Sequence, residues 1–416
     1  MRLELPYGNR TISAMVPEDR GMTILSSPNA GMMEEKYIIP NAFQHPEASK
    51  KFEAFLLNAQ KILIIVNDAD RDNPTPFVLD YILPFLEKIH VEFLIATGTH
   101  PVPSESDLQK IFGSHLSRFR KHIHIHQATQ LHECLFVGRT RRGTEVKLNR
   151  RVVEAEKILV IGSVEPHYFA GFTGGRKAFL PGCAAFHSVE QNHRLALDPN
   201  AQVLRLKGNP VHEDMEEILD FLRGKSIFSV QTVFDRNGKL AFAFAGDLEE
   251  TFYQGVEASK KIHTVRVPEP ADIVIGAVIP PLDVNFYQAH KAHENLKGVI
   301  RPGGIFILVA PCPKGIGNDA FARLLSAYSD PKQVVKEVHQ NYRLGFHKSV
   351  RIAEFVQNAQ FWAVTEMDPE MLQSLFIRPF PDLQSAMDEA LKQKSNGKIL
   401  VVPSAGTTVP ILEKGT

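Results

Sequence analysis

One stretch constrains the fold of this 416-residue chain more than any other. Residues 157–194 read KILVIGSVEPHYFAGFTGGRKAFLPGCAAFHSVEQNHR. The apolar, strand-like run KILVIGSV leads into His167, a glycine-rich turn (Gly171, Gly174, Gly175), Arg176 and Lys177, and His193 closes the stretch. Strand, glycine-rich turn and helix is how an α/β protein presents a helix N-terminus to an anion. His167, Arg176, Lys177 and His193 in so short a span are costly to bury unless paired or used. The turn is not a P-loop, which places lysine directly after the last glycine and a hydroxyl residue after the lysine. Here Arg176 intervenes and Ala178 follows, although the backbone N–H groups still suit one phosphate.

The same alternation continues on both sides. KILIIVND and VEFLIATGTH are further buried-strand runs; TPFVLDYILPFLEKI and PSESDLQKIFG have helical spacing, the second behind a good N-cap. Such alternation predicts a parallel sheet with right-handed crossovers and ligands at the carboxyl ends of its strands. Residues 68–71, 97–100 and 162–177 all fall at such ends, so they are expected to share one site. MRLELPYG and RTISAMVP read as a small hairpin, and FSVQTVFDRNGKLAFAFAGD as two strands about an Asn-Gly turn. After VPEPAD, read as a linker, IVIGAVIPP, DVNFYQAHKAHENLKGVI and RPGGIFILVAPCPKG begin a second α/β unit. The expectation is an α/β protein of two α/β domains with mainly parallel sheets and its active site in the interdomain cleft. The cofactor-binding domain spans 1–268, with the tail 396–416 packing back on it, and a smaller domain spans 272–395.

Lys and Arg number 47, as do Asp and Glu, with no long block of one sign, which argues against nucleic acid or an anionic membrane as partner. No apolar run approaches the ~20 residues of a membrane span. Cys134, Cys183 and Cys312 are far apart and the N-terminus lacks a signal-peptide core, so the expected location is the reducing cytoplasm.

His100 and His167 each follow a strand end. Facing one cleft, they are acid and base near neutral pH, as a racemase or epimerase needs; the alternative is one catalytic histidine supported by the other. Lys177 reads as a phosphate-binding point charge or an amine nucleophile. Arg71 after Asp68 reads as an oriented anion-binding cation or as a surface salt bridge. Tyr287 and Lys291 are four residues apart and Gln288 adjoins them, a helix face for an anionic substrate or an ordinary solvent face. His193 can ligate a metal, but one histidine is not a metal site. His122, His124 and His126 alternate in HIHIH; solvated imidazoles on a half-exposed strand are preferred there over metal ligands.

These residues fall into a known pattern. The chain resembles, nearly end to end, the nickel-dependent lactate racemases, a family of 2-hydroxyacid racemases and epimerases. The resemblance is carried by NDADRDNPTP at 67, ATGTHPVP at 96, EPHYFAGFTGGRKAFLPG at 165, QNH ending at His193, GNPVHEDM at 208, DVNFYQAHK at 283 and GFHKSV at 345. It implies a nickel-pincer nucleotide, pyridinium-3,5-bisthiocarboxylic acid mononucleotide carrying nickel, attached covalently through Lys177 and with His193 as metal ligand. It implies His100 and His167 as the paired acid/bases. Gly171, Gly174, Gly175 and Arg176 would lie by the cofactor phosphate, and Asp68 would orient Arg71. Arg71, Tyr287, Gln288 and Lys291 would hold the substrate carboxylate or that phosphate. The implied reaction is hydroxyl deprotonation with reversible hydride transfer to the pincer. The implied partners are a small 2-hydroxyacid and the cofactor-synthesis enzymes.

Two positions depart from the family pattern: Asp70 stands where threonine is usual, and Pro101 where many members carry arginine. They leave open lactate against a larger 2-hydroxyacid. An NAD-type 2-hydroxyacid dehydrogenase is disfavoured, because no G-x-G-x-x-G follows an early strand. A non-catalytic cofactor carrier would need Lys177 and His193 but not both His100 and His167.

Overall fold

The apolar runs become strands buried at successive positions. In the computed structural model, which describes residues 1–26, 33–317 and 319–413, strand Lys61–Asn67 buries five residues in a row and Lys157–Ser163 six. That pattern belongs to parallel strands covered on both faces. Each fully buried aliphatic side chain in them contributes about 1.5–3 kcal/mol.

The chain divides into two compact units: Asn29–Ile262, and Met1–Pro28 with His263–Thr416. In the first, six strands lie in the order Leu240–Gly246, Ser226–Phe234, Lys157–Ser163, Lys61–Asn67, His90–Ala96, Ile123–Ile125. All neighbours are parallel except the antiparallel pair Ser226–Phe234 and Leu240–Gly246. That pair is the expected Asn-Gly hairpin; Asp235 Oδ1 accepts the N–H groups of Asn237 and Lys239 across its turn. The three site-bearing strands are adjacent, so their carboxyl ends open side by side. Helix Glu105–Phe112 starts at Ser104 with a capping box to Asp107, as its sequence predicts. Pro84 ends helix Thr75–Ile82 early, in a 3₁₀ turn.

The second unit holds a parallel sheet in the order Arg378–Phe380, Gln360–Val364, Ile300–Val309, Ala271–Ala277, Ile399–Val402, Met22–Ile24. This corrects the expected boundaries. The N-terminal hairpin, Arg2–Tyr7 with Arg10–Met15, belongs to this unit, not to the cofactor-binding one, because Leu3, Leu5 and Tyr7 sit in its core with Trp362 and Val401. The tail also belongs here: Ile399–Val402 is inside the sheet and Val409–Leu412 pairs with Thr264–Val267. Residues 27–32 of the expected N-terminal connection and 414–416 of the tail lie outside the described residues.

Candidate active site

Asp68 follows strand Lys61–Asn67, and His100 lies four residues beyond strand His90–Ala96. The parallel register of these strands brings the two together: His100 Nδ1–H donates to Asp68 Oδ2 at 2.6 Å, with Asp70 Oδ2 at 3.4 Å. Asp68 is buried, while the His100 side chain is 44% exposed. With Nδ1 carrying the proton, Nε2 holds the lone pair, so this imidazole is set as a base. Arg71 Nη1 donates to Glu165 Oε1 at 2.7 Å. Burial opposes the Arg71 charge, but Glu165 and then Asp68 and Asp70 more than offset it and hold its pKa above the usual value. Asp70 is exposed beside His100, and Pro101 is exposed after it.

The stretch after strand Lys157–Ser163 is a tight hairpin, His167 pairing with Gly171. His167 is buried, and its Nδ1 accepts the Ala170 N–H at 3.3 Å. That assigns the ring proton to Nε2, the reverse of His100. The Phe169 ring is the centre of the group. His167 and His193 meet it edge-on at 4.5 and 5.0 Å between centroids, and Lys177 Nζ stands 5.7 Å from it.

Arg176 is buried, and its guanidinium donates to the carbonyls of Ala170, Phe172 and Gly174 at 3.1–3.3 Å while lying 4.3 Å from the Phe252 ring centre. Burial pulls it down to about 10, against the smaller pull of Glu216. The Gly175 N–H already donates to Gln231 Oε1. Gly174 has φ 85°, and a Cβ there would stand 2.7 Å from Gln231 Oε1 and Val164 Cγ2. Gly171, φ 78°, would meet the Arg205 carbonyl at 2.2 Å. These glycines let the loop pack on itself, and Arg176 clamps it through three of its carbonyls. Only a 3₁₀ turn, Gly175–Ala178, follows the glycines; the helix proper starts at Phe186.

That helix, Phe186–Arg194, carries His193 in its last turn. Its neighbour Asn192 is buried and donates to Asp214 Oδ2 and the Val211 carbonyl, and Asp214 also accepts from Thr140 and Thr144. His193 Nδ1–H donates to Asn192 Oδ1 at 3.2 Å, which makes Nε2 the lone-pair nitrogen. Desolvation, then the charges of Lys177 and His100, pull His193 down to about 3, so it is a neutral imidazole, the form that binds a metal. Among the described residues no group of three or more His, Cys, Asp or Glu converges as a metal site.

His126 is not a solvated imidazole. It is buried, its Nε2–H donating to the Ala184 carbonyl and its Nδ1 accepting from Asn149 Nδ2. It ties the end of strand Ile123–Ile125 to the segment after Lys177. In the other unit, Tyr287 and Gln288 lie on helix Phe286–Ala289 and Lys291 opens helix Lys291–Leu296, the two meeting at His290. Burial pushes the Tyr287 hydroxyl up to about 12; Lys348 Nζ stands over its ring at 3.1 Å and donates to its carbonyl. Gln288 Oε1 is buried without a hydrogen bond among the described residues. Sequence reasoning missed Glu165, Phe169, Asn192 and Lys348. Each sits inside a motif already singled out, but its role depends on contacts far along the chain.

Among the described residues no helix is long and apolar enough to cross a membrane. Residues 7–203 match the family model described as the lactate racemase N-terminal domain, and residues 267–411 the lactate racemase C-terminal domain. The chain is 31% identical to the lactate racemase of Thermoanaerobacterium thermosaccharolyticum over 99% of both chains. It is 27% identical to that of Lactiplantibacillus plantarum over 96% of this chain and 97% of the other. The solved lactate racemase apoprotein from T. thermosaccharolyticum superposes with a TM-score of 0.90, 28% identity and full coverage of both chains. A Thermotoga maritima protein shares the fold at a TM-score of 0.70, 18% identity, 93% of this chain and 100% of the other. The chain belongs to the lactate racemase family and is an isomerase.

Proposed function

We propose that this chain racemises lactate or epimerises a larger 2-hydroxyacid, using a nickel-pincer nucleotide attached through Lys177. One observation carries the reading: His167, Lys177 and His193 gather round the Phe169 ring. The residues fit the group. Lys177 supplies the amine for the covalent link, and His193, a neutral imidazole oriented through Asn192, supplies one metal ligand. When bound, the cofactor supplies a reversible hydride acceptor, the chemistry these side chains lack.

The chain's own residues do the rest. Arg71 takes the substrate carboxylate, and Tyr287, Gln288 and Lys291 are the proposed further substrate contacts. His100, its Nδ1–H held by Asp68, takes the hydroxyl proton on Nε2. Asp68 then stabilises the imidazolium. His167 presents Nε2–H to the substrate oxygen of the other hand. To act there as acid or as base the ring must carry a proton on Nδ1, so it gives up the Ala170 N–H, a weak contact at 3.3 Å. Racemisation needs a proton-handling group for each hand, which a carrier does not.

The test is an intact mass with nickel quantification on protein co-expressed with the cofactor-synthesis enzymes, wild type beside Lys177→Ala. The expected result is an adduct with nickel in wild type only, and racemisation of lactate by the loaded protein. Absence of adduct and nickel from both would overturn the cofactor assignment.

A further inference from the structure

We propose that Glu165 is a positioning residue: it holds the Arg71 guanidinium in the orientation that receives the substrate carboxylate. The inference rests on the reading of Arg71 as a substrate-binding residue.

Arg71 and Glu165 follow neighbouring parallel strands, Lys61–Asn67 and Lys157–Ser163. Their 2.7 Å contact is mostly covered, the side chains being 22% and 23% exposed. An exposed pair would be worth little. A covered one keeps a flexible guanidinium in a single rotamer, so the ordering cost does not fall on substrate binding. Glu165 has a rigid base: its N–H donates to Thr173 Oγ1, its carbonyl accepts the Thr173 N–H, and Thr173 Oγ1 donates to the Ser163 carbonyl, all at 2.9 Å.

The neighbours of Arg71 explain why it needs a holder. Asp68 and Asp70 also attract it, and both carboxylates lie on His100. Without Glu165 the guanidinium is drawn toward the carboxylates that serve the base. With Glu165, one arm of the guanidinium is anchored at Nη1, and a guanidinium has five N–H donors to share with a carboxylate. The opposing effect is charge: Glu165 also repels an anionic substrate. Positioning is expected to win, because Asp68 and Asp70 leave Arg71 no neutral resting place.

The experiment measures lactate racemisation by cofactor-loaded protein in Glu165→Ala, Glu165→Gln, Arg71→Lys and the double variant Glu165→Ala/Arg71→Lys, with intact mass read on each. Glu165→Ala is expected to raise KM about tenfold with kcat within about threefold. Glu165→Gln, which keeps the acceptor, recovers most of the KM. Once Arg71 is replaced, Glu165→Ala adds nothing, because the residue acts through Arg71. The Lys177 adduct forms in all four. A lower KM in Glu165→Ala, losses that multiply in the double variant, or loss of the adduct each overturns the proposal. If Arg71→Lys raises KM and Glu165→Ala does not, only the Glu165 inference falls. If Arg71→Lys leaves KM unmoved, the substrate-binding reading of Arg71 falls with it.

Discussion

His100 and His167 are the same residue type at the ends of two strands of one sheet, yet their surroundings prepare them oppositely. His100 is half exposed and gives its Nδ1 proton to a buried carboxylate. His167 is buried against aromatic rings and takes a backbone N–H on Nδ1. A carboxylate partner fixes the ring proton on Nδ1; an N–H partner leaves it on Nε2. The first loop therefore leaves the lone pair on Nε2 and the second leaves an N–H there, so the two imidazoles start as opposite tautomers. The second loop is also tighter, with Arg176 clamped across three of its carbonyls, while the first is steered by side-chain charge.

The largest effect expected is from the histidines themselves. His100→Gln or His167→Gln should each lower kcat by about 10²–10⁴-fold while nickel stays bound. Full activity in either variant would break the pairing. Next is the clamp. Arg176→Met leaves three buried carbonyls without their donor and should cost about 2–4 kcal/mol in denaturant unfolding. A neutral result would show that the second loop is held by its glycines alone. A smaller effect sharpens the contrast in the first loop. Asp68→Asn should lower kcat by less than loss of His100 itself, since it keeps the shape but not the charge behind the imidazole. Asp70→Asn, at 3.4 Å and exposed, should change kcat by less than about twofold.

The smallest effect is on stability against pH. Burial lowers His126 and His212 below the ordinary value of 6.5. At these two residues the unfolded chain binds more protons than the native one below about pH 6.5, so their contribution to stability falls as pH drops through that point toward the folded values, while Asp72, raised to about 7 by burial, opposes it. Denaturant midpoints at successive pH values between about 7.5 and 5.5, read beside those of His126→Asn, isolate the histidine contribution, which should decline. His126→Asn should flatten that decline; an unchanged slope would mean His126 titrates alike in both states.

Strand positions and the alignment of three strand ends were legible from local patterns, because burial on both faces forces long apolar runs that need no partner to be recognised. KILIIV, VEFLIA and KILVIG report this directly. The resemblance then placed His100, His167, Lys177 and His193 in one site, and the structure brings the last three round Phe169. What local pattern could not carry was partner choice. Arg176 after a glycine turn reads like a phosphate ligand, and its bonds to the carbonyls of Ala170, Phe172 and Gly174 appear only in the fold. His126 reads like a surface imidazole until Ala184 and Asn149 close over it. Residues 1–28 read as part of the first domain until Met22–Ile24 pairs with Ile399–Val402, more than 370 residues away. Periodicity and strand ends are properties of neighbouring residues, so the sequence alone determined them. The proton on each histidine, the task of each cation and the sheet each end joins depend on groups far along the chain, so only the tertiary structure decided them.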